Sequence, residues 1–188
     1  VRQGKEASLT LTGPAEELER TSTVVEKGRL LITKTGNGKM SWTKGEGVTV
    51  TITLPVIESL AVNGSGDLKS DGTLTGAELA ISVAGSGDVQ VAAELTGALS
   101  TKLAGSGDVR LSGRCASHTV SVAGSGDVRA DALKASSATV KLSGSGDVSV
   151  AAADALDVSI SGSGDVRYAG APKQLVKRVT GSGSVARL

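Results

Sequence analysis

The chain has 188 residues, 20 basic and 19 acidic, for a formal net charge of +1; no long charge run is present, which excludes the basic footprint of a nucleic-acid-binding protein. Hydrophobic residues make up 39%, enough for a core, yet aromatics make up only 1%, as Trp42 and Tyr168 with no Phe. Cys115 is the single cysteine, so an intramolecular disulfide and a zinc-type cysteine cluster are both excluded, and no apolar run is long enough to span a membrane.

The chain begins VRQGKEASLT, without the pattern of a secretion signal. ASLTLTG alternates apolar and polar residues, as a strand with one buried face does. PAEELER (14–20) supports a turn of helix at most. KTGNGKM (34–40) carries a strong turn signal in Asn37-Gly38. Trp42 comes next within KMSWTKGEG, where it either caps the end of the fold or presents an exposed anchor to a partner. In GVTVTITLP, Val48, Val50, Ile52 and Leu54 face one way and Thr49, Thr51 and Thr53 the other, and Pro55 ends the strand. Residues 1–57 thus read as irregular first coils or a hairpin cap, continuous with the rest of the chain.

From residue 58 a repeat takes over. VNGSGDL, VAGSGDV, LAGSGDV, VAGSGDV, LSGSGDV, ISGSGDV and VTGSGSV place their first glycines at Gly64, Gly85, Gly105, Gly124, Gly144, Gly162 and Gly181. The spacings are 21, 20, 19, 20, 18 and 19, a period of about twenty that signals a solenoid. Before each corner the sequence alternates, with Leu79, Ile81 and Val83 inward in one repeat and Leu99, Thr101 and Leu103 in the next. After it DVQV, DVRL, DVSV and DVRY alternate again. A looser segment adds a third inward residue, Leu74, Leu95 and Leu133 in three coils. The predicted fold is an all-β parallel β-helix, or β-solenoid, of about 20-residue coils with GSGD corners over 58–188, forming a single structural domain with 1–57. The shortage of aromatics fits this fold, because each inward side chain stacks on its counterparts and a ring needs matching space in every neighbouring layer. In the last coil the motif degenerates to GSGSV, and Lys177 and Arg187 take inward positions, as suits an end that needs no dry core.

VRQGKEASLTL near the start, VVEKGRLLI (24–32), VTVTITLPVIESLAVNGSGDL (48–68) and the GSGD series together resemble the putative auto-transporter adhesin family with the head GIN domain. The resemblance covers nearly the whole chain. It implies a β-solenoid exported to the periplasm or outer surface of a bacterium, with its signal segment absent from this chain, and an adhesive role. It carries no catalytic residues.

The GSGD motif admits two readings. In the first it is a corner: glycines permit positive φ or close backbone approach, and Ser and Asp hydrogen-bond the turn amides. In the second, Asp67, Asp88, Asp108, Asp127, Asp147 and Asp165 stack into a ladder of carboxylates that binds a cation such as Ca²⁺. Neighbouring unit charges about 4.8 Å apart repel by roughly 1 kcal/mol even in water, so amides, basic residues or cations must offset them. Lys69, Arg110, Arg129 and Arg167 lie two residues after an Asp, on the same outward side. Against calcium, the Gly-Gly-x-Gly-x-Asp nonapeptide rhythm of calcium β-rolls is missing and one carboxylate per coil supplies few ligands. No other cofactor is expected.

His118 aligns with inward Leu79 and Leu99 and reads as a core residue. Cys115 falls where other coils have Leu74 and Leu95 and reads as a small buried hydrophobe. A Cys115–His118 dyad lacks a third orienting group. Two functions compete. One is a non-enzymatic exported or cell-surface scaffold or adhesin, binding a cell-surface polymer, a protein or its own copies through flat faces of Ser, Thr, Asp, Lys and Arg, with multivalency. The other is a polysaccharide lyase or hydrolase on a parallel β-helix. The unbroken repeat, the lack of aromatic sugar platforms and the absence of long loops to wall a cleft weigh against it.

Overall fold

The computed structural model describes residues 1–34 and 47–188. The turn at Asn37-Gly38 and Trp42 lie outside the described residues. The chain divides into two compact units, Glu6–Thr53 and a larger one of Val1–Lys5 with Leu54–Leu188.

In the smaller unit, β2 (Ser8–Thr12) pairs antiparallel with β5 (Thr49–Leu54), Leu9 opposite Ile52 and Leu11 opposite Val50. The alternation read from GVTVTITLP holds until Thr53, which is buried despite its place on the threonine side. PAEELER forms a single short helix, α1 (Ala15–Glu19), with Glu16 and Glu17 in its first turn, where the helix dipole favours acids. A hairpin comes next, β3 (Thr21–Glu26) against β4 (Arg29–Lys34). Its two-residue turn, Lys27-Gly28, has φ of 50° and 76°, the positive pair that a tight hairpin needs.

The larger unit is the solenoid. β6 (Ser59–Gly64), β7 (Leu68–Gly76), β8 (Leu79–Gly85), β9 (Val89–Leu95), β10 (Ala98–Gly105), β11 (Val109–Gly124), β12 (Val128–Gly144), β13 (Val148–Gly162), β14 (Val166–Ala169), β15 (Gln174–Gly181) and β16 (Val185–Arg187) wind through about 7 turns. Every pairing among them is parallel, each strand bonding to its equivalent one coil away. β1 (Arg2–Gln3) lies along β7, where the Gln3 amide acts as a backbone surrogate: Nε2 donates to the Thr75 carbonyl at 2.7 Å and Oε1 accepts from the Thr75 N–H at 2.7 Å.

The core is a set of columns. Ile81, Thr101, Val120, Val140 and Val158 stack in register, as do Val83, Leu103, Val122, Leu142 and Ile160. Across the corner Val89, Val109, Val128, Val148 and Val166 form a third column, each at most 1% exposed. Burial of each such side chain contributes roughly 1.5–3 kcal/mol, and like-on-like stacking keeps the thin interior filled. Tyr168, the one aromatic in this unit, sits in the next-to-last coil, stacked on Val150 and facing Arg187. A ring is accommodated there because its neighbour in the described coil beyond is the long, exposed Arg187 and not a small apolar side chain in a dry layer. Lys177 and Arg187 continue the inward columns of Val158 and Tyr168 and are exposed in the last described coil. The Lys177 ammonium lies 5.3 Å from the Tyr168 ring centroid and donates to the Val185 carbonyl at 3.1 Å.

One part of the column assignment is corrected. Leu74, Leu95 and Leu133 are all buried, but Leu95 does not share the column that holds the other two. Leu74 pairs with Ala93, Ala93 with Gly113 and Gly113 with Leu133, whereas Leu95 pairs with Gly76. Cys115 pairs with Ala135 and therefore does not lie over Leu74. Register shifts between Lys69 and Thr73, Arg110 and Ser112, and Ala130 and Lys134 absorb the differing coil lengths there.

Candidate functional site

The GSGD corners are the most regular feature of the surface. The two glycines answer different needs. At Gly144 the backbone has φ of +131° and an added Cβ would lie 2.1 Å from the Gly124 carbonyl oxygen. At Gly146 φ is ordinary, yet an added Cβ would lie 2.1 Å from the Gly126 carbonyl oxygen. The first glycine is thus required by conformation and by contact, the second by contact alone. The equivalent Gly66 lies in the first corner, where no coil precedes it, and a Cβ there meets nothing within 4 Å. The close approach is used for bonding: the N–H groups of Ser145 and Gly146 both donate to the Gly124 carbonyl, at 3.0 and 3.4 Å.

The aspartate completes the corner. At four of the corners the Asp N–H donates to Oδ1 of the Asp one coil earlier. The Asp88 N–H reaches Asp67 at 3.0 Å, Asp108 reaches Asp88 at 2.9 Å, Asp147 reaches Asp127 at 2.9 Å and Asp165 reaches Asp147 at 3.0 Å. The next residue turns the other way: the Val148 N–H donates forward to the Asp165 carbonyl at 2.9 Å. The carboxylate substitutes for the carbonyl that a strand partner would offer, at a point where the chain has left the sheet.

Arginines supply the second offset. Arg110 Nη2 and Arg129 Nη1 both reach Asp108 Oδ2, at 3.0 and 3.1 Å, while Arg129 Nη2 reaches Asp127 Oδ2 at 3.0 Å. Arg129 therefore ties two coils together. The arginines are about half exposed and the aspartates under a third, so each pair stabilises little, and their main effect is to cancel repulsion along the column. At the last corner Ser184 stands where Asp would be. Its hydroxyl and its N–H both donate to Asp165 Oδ1, at 2.9 and 2.8 Å, and hold the Asp165 carboxyl below its usual range. Among the described residues no group of three or more His, Cys, Asp or Glu side chains is placed to hold a metal ion.

The buried candidates take no part in this surface. His118 pairs with Leu99 on one side and Ala138 on the other and is 1% exposed. Its Nε2 lies 3.0 Å from Thr101 Oγ1, and burial pushes its pKa down to about 4, so it is neutral at pH 7. The Thr101 partnership is one that sequence reasoning missed, although a hydroxyl in an otherwise apolar inward column, one coil before an inward histidine, is the signal for it. Cys115 is buried, and burial pushes its thiol up to about 11, which leaves it without thiolate at neutral pH.

Two open hollows mark the first coils. One is lined by Gln3, Lys5, Pro55, Val56 and Thr75. The other is lined by Val56, Ile57, Leu79 and Ser100 and carries two carboxylates, Glu58 and Glu78. Nothing in the sequence pattern singles out either acid.

Solved structures that this fold resembles include proteins from Bacteroides and Parabacteroides species. An adhesin described as putative from Bacteroides fragilis NCTC 9343 has a TM-score of 0.88 at 23% identity, over 100% of this chain and 86% of that one. A protein from Parabacteroides distasonis ATCC 8503, described as a putative lipid binding protein, has a TM-score of 0.70 at 25% identity, over 100% and 87%. A putative adhesin from Parabacteroides merdae ATCC 43184 has a TM-score of 0.71 at 17% identity, over 100% and 86%. No curated protein matches the sequence. Residues 1–172 match the family described as "Putative auto-transporter adhesin, head GIN domain", and the chain belongs to that family.

Proposed function

We propose that the protein is a non-catalytic binding module, exported to the periplasm or cell surface, whose stacked coils display the same outward positions again and again. The observation that carries this reading is the unbroken parallel register on the flat face from β6 to β15, which sets side chains in columns and favours multivalent contact. The groups that chemistry would use point the same way: the lone histidine and thiol are buried, and the corner carboxylates are engaged by amides and arginines. The Asp column on this reading holds the corners and is not a cation site. The adhesin descriptions of the family and of the B. fragilis structure agree with a binding role.

Binding to an array of glycans and surface proteins, with no product released from any polysaccharide, is the expected result. Release of reducing or unsaturated sugars that is lost in Glu58→Gln or Glu78→Gln would replace this reading with the lyase or hydrolase one, since these two acids share a hollow. A second reading, lipid contact, is favoured by the β3–β4 hairpin, which exposes Val24, Val25 and Leu31, Val25 at 72%. The description of the P. distasonis structure agrees with it. Vesicle flotation that is abolished by Val25→Asp would establish that contact.

A further inference from the structure

The flat face built by β6, β8, β10, the later halves of β11, β12 and β13, and β15 has a charge logic opposite to that of the corners. Its middle outward column reads Ser82, Lys102, Ser121, Lys141, Ser159 and Arg178 in strict register. Cations therefore recur every second coil, about 10 Å apart at the usual strand spacing. The column beside it is small from β8 to β13, with Ala84, Ala104, Ala123, Ser143 and Ser161, and has Asn63 and Thr180 at its ends. On the other side Asp157 is the one acid, and it is tied to Arg178 at 2.9 Å. Lys102 and Lys141 are exposed, and no ion pair is made to either among the described residues. At the corners Arg110 and Arg129 are cancelled by Asp108 and Asp127. On this face the positive charge is left for something else.

The geometry points to an extended acidic polysaccharide lying along the solenoid axis, its carboxylates meeting Lys102 and Lys141 and its hydroxyls meeting the intervening serines. This inference rests on the binding-module reading and names its ligand class. Flat, small flanking residues let an extended chain lie close, without a ridge to lift it. A nucleic acid is disfavoured by the balanced net charge and the lack of aromatic stacking platforms. A lipid surface is disfavoured because, on these columns, no apolar side chain larger than Ala stands outward before Val176.

The test measures binding of the purified chain to polygalacturonate, with neutral dextran and phosphatidylglycerol-containing vesicles alongside. Wild type is expected to bind polygalacturonate, more weakly as salt rises, and not dextran. Lys102→Gln with Lys141→Gln should lower affinity by about thirtyfold, at the roughly fivefold that one cation contributes beside an anionic surface. Lys102→Arg with Lys141→Arg should retain binding. Lys134→Gln, on another face beside Arg114, should leave it unchanged. Equal losses in the Lys134 variant and the double Gln variant, or no loss in either, would overturn the inference. Tighter binding to the vesicles, lost in the double Gln variant, would overturn it in favour of a lipid surface. Binding of wild type and double variant alike to neutral glycans or whole cells would overturn it and leave the binding-module reading standing. Failure to bind any surface component would overturn both.

Discussion

Acid should destabilise this solenoid through one buried side chain. His118 is the only histidine in the chain, and burial lowers its pKa from 6.5 to about 4. A group with a depressed folded pKa takes up protons more readily when unfolded, so its contribution to stability is complete above about pH 6.5 and falls as pH drops. The loss between those two values is about 2 kcal/mol at pH 5 and about 3 kcal/mol below pH 4. That is a large share of the roughly 5–15 kcal/mol of a typical domain. The perturbation that isolates it is Thr101→Val with His118→Leu. This restores the apolar pattern of the neighbouring columns, Ile81 with Val120 and Leu79 with Leu99, and leaves no hydroxyl without its partner. Urea unfolding at pH 7 and pH 5, for wild type and double variant, gives the comparison. The carboxylates titrate in both proteins, so the difference belongs to the histidine. Wild type should lose about 2 kcal/mol more than the variant on going to pH 5. Equal losses, or an imidazole that titrates near 6.5 in the native state by NMR, would refute the reasoning.

The corner makes two further predictions. Asp127→Ala removes the acceptor of the Asp147 N–H and should cost about 1 kcal/mol, whereas Asp127→Asn keeps an oxygen there and should cost less; matched thermal melts check the order. Melts in EDTA and then in millimolar Ca²⁺ should coincide, because the corner oxygens already hold amides and guanidiniums. A rise of several degrees that vanishes in Asp108→Asn with Asp127→Asn would make the column a calcium site.

The parts of this fold that are legible in the sequence are those that recur. The period of about twenty, the alternation on either side of each GSGD and the inward places of Thr101 and His118 all survive because stacked coils repeat their constraints. The parts that are not legible lie where coils differ. Counting along the chain puts Leu95 and Cys115 in the column of Leu74, because the shift between Lys69 and Thr73 absorbs extra residues and alignment by counting cannot see a bulge, whereas β9 and β11 run without a shift up to Glu94 and Arg114. The Lys102–Lys141 column is invisible for the opposite reason: its members alternate with Ser82, Ser121 and Ser159, so no single repeat announces it. The link between Asp side chains and amides one coil on joins residues about twenty apart, and only the register reveals it.

The most direct test of the stacked-corner account is one substitution made in two places. Gly66 and Gly146 hold the same place in the motif, neither needs positive φ, and they differ in whether a coil lies beneath them. Gly66→Ala should leave the melting temperature nearly unchanged. Gly146→Ala drives a Cβ to 2.1 Å from the Gly126 carbonyl oxygen, and should either lower the melting temperature by many degrees or prevent folding. Equal effects at the two glycines would contradict the claim that the second glycine exists to let one coil rest on another.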